Sequence, residues 1–216
     1  MGRQKASLPF GDGSLLEWMI ALVRDAAPDV WVSVSRDANS PLPRGAAGFL
    51  VDREPGAGPL AALRGALARF DRPVLFVACD LPFLAPSDLR ALAGAARVAR
   101  NTAPMFLLGD SDGPQPLAAL YRPLLLPTID ALLAAGRDAM RDLLAAAPHE
   151  TILATPRVAG CPPLANLNRP REYDAALAAA RAGGLFDQRA APKTSRAPRG
   201  ASPRRVRGRG TPSPRA

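Results

Sequence analysis

The sequence predicts a three-layer α/β domain on a mostly parallel sheet, and three observations carry that prediction. Strand-like runs alternate with helix-period segments over most of the chain, the pattern of a sheet covered by helices. Residues 74–78 are apolar without interruption, rich in β-branched and aromatic types, and follow Pro73. Such a run suits a strand buried on both faces, as in a parallel sheet. It ends at Cys79, Asp80 and Pro82, and the carboxyl end of such a strand is where open α/β sheets bind ligands.

The elements follow in order. Residues 14–27 carry Leu15, Trp18, Met19, Leu22 and Val23 at helical spacing, with Asp12 or Ser14 as the cap. Residues 30–35 alternate apolar and polar and read as a strand, as do residues 48–51. A helix over 58–70 places Leu60, Leu63, Ala66, Leu67 and Phe70 on one face. After the strand leading to Asp80, Ser87 is expected to cap a helix to about residue 96, with Asp88 in its first turn. Residues 105–108 and 117–121 are expected strands. Residues 124–135 and 139–146 are expected helices, and 151–155 a further strand. Pro170 suits the first turn of a helix running to about residue 182.

Composition narrows the function classes. Hydrophobic residues make up 48% of the 216 and aromatic residues 5%, so the core is aliphatic. The net charge of +9 has one source. Residues 189–216 hold Lys193 and eight arginines with no acidic residue, and the remaining 19 basic residues balance the 19 acidic ones. The chain therefore divides into a neutral domain, residues 1–187, and a basic tail, residues 188–216. The tail is too poor in large apolar residues to fold and is expected to be disordered. It could attract nucleic acid by charge alone, but it has no aromatic residue to stack on bases, so nucleic acid is not the expected partner. Two cysteines are too few for a disulfide framework or a metal cluster, which points to a reduced, cytoplasmic setting. No apolar run approaches the roughly 20 residues that span a bilayer, so no membrane role is expected.

The candidate chemistry lies near expected strand ends. Asp80 can hold a divalent cation against a phosphate, or it can start the turn before Pro82 with a structural role. Asp52 ends one strand before a turn containing Gly56 and Gly58, which leads into a helix amino end that favours anions. Lys5 is a solvated surface charge, or a phosphate clamp if it faces Asp80. His149, the single histidine, lies in a polar stretch and is expected at the surface; it has no partners for a catalytic triad. Neither GxxxxGK[ST] nor GxGxxG is present. Aspartate, lysine and a glycine-containing turn are the parts of metal-assisted phosphoryl or nucleotidyl transfer.

Five segments together carry a resemblance: MGRQKASLPFG, LVDREPGAGPLAAL, VLFVACDLPFL, GPQPLAALYRPLLLPTIDALLAAG and LANLNRPREY. Their order resembles that of the molybdenum cofactor guanylyltransferases and the wider nucleotidyltransferases of Rossmann-like fold, and it covers residues 1 to about 180. The resemblance implies transfer of GMP from GTP to molybdopterin with release of pyrophosphate and with Mg2+ as the cofactor. It implies that Asp80 holds the magnesium and that Lys5 contacts the nucleotide. Asp52 and Ser33 then belong to the nucleotide site, and Asn166 and Asn168 either contact the acceptor or cap the last helix. GTP, molybdopterin and molybdoenzyme chaperones are the partners it implies. Ser33 stands where these enzymes often carry asparagine, which leaves as alternatives a related nucleotidyltransferase using CTP as donor or one acting on another phosphorylated acceptor.

Family members open with a strand and a Gly-rich loop ending in Met-Gly, and this sequence starts at Met1-Gly2. The resemblance therefore implies a domain whose first strand is missing and is encoded upstream. If that absence is real, a non-catalytic nucleotide-binding or adaptor role is the rival reading.

Overall fold

The computed structural model describes residues 5–34, 41–51, 58–95, 97 and 103–187. A 3-10 turn at Lys5–Ser7 leads into a small hairpin, β1 (Pro9–Phe10) and β2 (Gly13–Ser14). Helix α1 (Leu15–Val23) follows, then β3 (Trp31–Val34), β4 (Gly48–Val51), α2 (Gly58–Phe70), β5 (Val74–Val77) and α3 (Pro86–Ala95). The second half runs β6 (Met105–Asp110), β7 (Gly113–Tyr121), α4 (Leu126–Ala134), α5 (Met140–Ala146), β8 (Glu150–Leu153) and α6 (Pro170–Ala182).

The sheet alternation sorts the core into two layers. Phe106 and Leu108 of β6, and Ala118 and Leu120 of β7, pack with α1, α3 and α6. Met105, Leu107, Ala119 and Tyr121 pack with α2, α4 and α5 on the other face. This is the three-layer α/β arrangement expected from the sequence. The sheet, however, is mixed rather than mostly parallel. Its order is β5-β7-β6-β8, with β7 antiparallel to both β5 and β6, and β8 parallel to β6. The cause is the turn between β6 and β7: Asp110 accepts the Asp112 amide, and Gly113 adopts φ +110°, folding the two strands into a hairpin. β3 and β4 form a separate parallel pair.

A cleft of about 490 Å³ lies between this pair and β5. Its lining includes Trp31 and Ser33 of β3 and Val74 to Val77 of β5, with helix residues from both layers, Val23 and Ala93 on one side and Ala66 and Phe70 on the other. Among the described residues no strand bridges β3 and β5. β5 is consequently half-buried instead of buried on both faces.

Local chemistry explains the helix starts. Ser14 caps α1: its Oγ accepts the Glu17 amide at 3.2 Å, while Glu17 accepts the Ser14 amide at 2.9 Å, a reciprocal capping box. That bond from the Ser14 backbone, the largest influence, holds the Glu17 carboxyl below its ordinary value. α3 begins at Pro86, so Ser87 lies inside the helix instead of capping it. α1 ends at Val23, short of the expected residue 27, because the chain turns there with Ala26 and Ala27 both donating to the Val23 carbonyl.

Candidate functional site

The turn after β5 is held from below. Residues 81–85 are buried, with Leu81 and Leu84 fully so. The Trp18 indole of α1 donates to the Pro82 carbonyl at 3.1 Å, and Arg157 donates to Leu84 O at 3.3 Å while lying over the Trp18 ring. Asp80 stands on that anchored turn. Its carbonyl accepts the Leu167 amide at 3.1 Å, tying it to the segment before α6.

Lys5 reaches the same point from the opening turn of the chain. Its ammonium lies 3.7 Å from the Asp80 carboxylate and donates to Asn168 Oδ1 at 2.6 Å. Three residues far apart in sequence thus meet at the carboxyl end of β5. The Lys5 and Asp80 side chains keep 34% and 20% of their exposure, enough to be reached by a ligand. Cys79 lies beside the pair, and burial, with the Asp80 charge adding to it, pushes its thiol up. Both cysteines are free thiols.

The other expected site residues are not joined to this pair. Ser33 is exposed on β3 and lines the cleft between β3 and β5. Asn166 is exposed on the segment where Leu167 turns into the core. Asp52 and Gly56 lie outside the described residues, as does the tail from residue 188; Gly58 opens α2. His149 is exposed, as its setting predicted.

Two residues hold the surrounding backbone without having been singled out for it. Glu172, at the third position of α6, accepts the amides of Asn168 at 2.7 Å and Arg169 at 2.8 Å. The signal for it was present as Pro170 followed by an acidic residue two positions on. Asp88, 4% exposed, accepts the Thr155 amide at 2.7 Å and its hydroxyl at 2.8 Å, and so holds the chain after β8 against α3. No local pattern pairs residues so far apart. Tyr173 of α6 also donates its hydroxyl to the Pro9 carbonyl, which ties the opening hairpin to that helix.

Among the described residues no three metal-ligating side chains cluster. A magnesium ion does not need such a cage, because it binds through one or two carboxylates plus substrate phosphates and keeps several waters. A single accessible carboxylate beside a lysine fits that mode, and Asp80 supplies it. No described helix is long and apolar enough to cross a membrane.

Comparison with known proteins identifies the family and the fold. Residues 1–152 match the MobA-like NTP transferase domain. A probable molybdenum cofactor guanylyltransferase of Mycobacterium avium (strain 104) is 33% identical over 159 residues, spanning 71% of this chain and 78% of that protein. One of Deinococcus radiodurans is 38% identical over 122 residues, 56% of this chain and 60% of that protein. In fold, the chain is similar to molybdopterin-guanine dinucleotide biosynthesis protein A from Archaeoglobus fulgidus, with TM-score 0.62, 18% identity, and coverage of 87% of this chain and 92% of that one. It is also similar to Rv0371c from Mycobacterium tuberculosis H37Rv in complex with manganese, with TM-score 0.56, 19% identity, and coverage of 82% and 93%. The fold is that of Rossmann-like nucleotidyltransferases, and the chain belongs to the MobA-like NTP transferase family.

Proposed function

We propose that this protein transfers GMP from GTP to the terminal phosphate of molybdopterin and releases pyrophosphate. The observation that carries the reading is the Lys5 ammonium held at 3.7 Å from Asp80 at the carboxyl end of β5, in a chain 33% identical to a probable molybdenum cofactor guanylyltransferase. An acceptor phosphate oxygen attacks the α-phosphorus in line, the bond to the pyrophosphate oxygen breaks, and pyrophosphate leaves with that electron pair. Negative charge gathers on the α-phosphate, and a fixed ammonium beside it lowers the barrier. Asp80 would hold the magnesium, which would supply further charge neutralisation.

In this reading Asp80 holds the metal, Lys5 contacts the nucleotide, and Asp52 and Ser33 belong to the nucleotide site. Asn166 is left for the acceptor, and Asn168 serves Lys5. Free GTP and molybdopterin place the reaction in the cytoplasm, and molybdoenzyme chaperones are natural recipients of the product. The transferase domain is residues 1–187, followed by the basic tail, residues 188–216. Transfer of labelled nucleotide from GTP and CTP in the presence of molybdopterin tests the reading, because serine at position 33 makes the choice of base its least constrained part.

A further inference from the structure

The chain has two lysines among its 28 basic residues, Lys5 and Lys193, and only Lys5 lies in the described part. A lysine on a flexible stem, one third exposed, would ordinarily sample many rotamers. Here it is held. Its hydrogen-bond acceptor, Asn168 Oδ1, is 2.6 Å away, and the backbone beneath Asn168 is pinned on both sides. The Leu167 amide donates to the Asp80 carbonyl, and the next two amides, Asn168 and Arg169, both donate to Glu172 Oε2. Pro170 follows without an N–H, so three consecutive donors are all committed, one to the turn carrying Asp80 and two to α6.

We propose that Glu172 is a positioning residue for Lys5 that acts through Asn168. Its carboxylate fixes the Asn168 backbone, Asn168 fixes the ammonium, and the ammonium is thereby set at its distance from Asp80. A carboxylate that only capped α6 would stabilise the helix and leave Lys5 unaffected. The kinetic importance of this relay rests on the proposed role of Lys5, but its existence does not, so it is tested without nucleotide.

The experiment is NMR on the full chain labelled with 15N-lysine, with Lys193→Arg leaving Lys5 as the single side-chain signal. Asn168→Ala should move the Lys5 ammonium signal and sharpen it as the side chain becomes mobile. Glu172→Asp keeps the charge but shortens the arm, and it should move the signal in the same direction. Glu172→Gln keeps an acceptor oxygen and should leave the signal in place. The Asn168→Ala/Glu172→Asp double variant should add nothing to Asn168→Ala alone. An unmoved signal in Glu172→Asp, an additive double variant, or a Glu172→Gln signal displaced as far as that of Asn168→Ala would each overturn the proposal. Because no substrate is present, any of these results leaves the transferase reading to its own assay.

Discussion

The Lys5 ammonium and the Asp80 carboxylate stand 3.7 Å apart, one contributed by the opening turn of the chain and the other by the turn after β5. Neither turn is free to drift. Tyr173 holds the hairpin that follows Lys5, and Trp18 with Arg157 holds the loop that follows Asp80. The pair is therefore a preorganised charge arrangement, the kind that stabilises developing charge without reorganisation cost.

Substituting either member should remove transfer while sparing the fold. Asp80→Asn and Lys5→Ala are each expected to lower kcat by about 100-fold or more, the scale of a lost transition-state charge contact. Thermal unfolding of both variants should stay near that of the parent, since both side chains are partly exposed. Removal of divalent metal should abolish transfer in the parent, and Asp80→Asn should need more magnesium to reach its residual rate.

Asp88 should matter for stability instead. Its buried carboxylate is the acceptor for both the amide and the hydroxyl of Thr155, itself an exposed residue, and Asp88→Ala removes both bonds. A loss of about 2 kcal/mol is expected, the scale of hydrogen bonds to a charged group. Asp88→Asn should cost less, because its carbonyl oxygen can still accept one of the two bonds. Urea unfolding of the three proteins measures the difference.

Glu17 gives a pH signature. Its folded carboxyl lies below the ordinary value because it accepts the Ser14 amide. A depressed folded pKa means stability that is present above the unfolded pKa and lost as pH falls through the folded one. Glu17→Ala should cost about 0.5 kcal/mol near neutral pH, the scale of a carboxylate at a helix amino end, and its gap from the parent should close in acid. Thermal melts of both proteins from neutral to acidic pH follow that gap.

These contrasts show how much was legible in advance. β4, α2 and α6 follow from local signals: an apolar run, a helical stripe of Leu60, Leu63, Ala66 and Leu67, and Pro170 at a helix start. The insertion of β7 between β5 and β6 was not legible, because a register pairing Val74 with Tyr121 is decided by tertiary packing. Lys5 and Asp80 stood out by residue type and place. Their meeting with Asn168, and the Asp88–Thr155 contact, depend on which loops the folded sheet brings together.

The cleft beside β5 makes a prediction about the backbone. The Ala78 amide donates to Leu117, so by alternation Phe76 turns its amide toward β7, and Leu75 and Val77 turn theirs toward the cleft. Hydrogen exchange at Leu75 and Val77 should therefore be faster than at Phe76. Equal exchange at all three amides would contradict this reading of the strand edge.

The central claim is nucleotide transfer at the Lys5–Asp80 pair, and one measurement addresses it most directly. Native protein purified from its own cells is incubated with molybdopterin, magnesium, and α-labelled GTP or CTP, and the labelled dinucleotide and released pyrophosphate are quantified. The account predicts label joined to molybdopterin from GTP, equimolar pyrophosphate, and little product from CTP. Preferential transfer from CTP, or no transfer from either nucleotide, would contradict it.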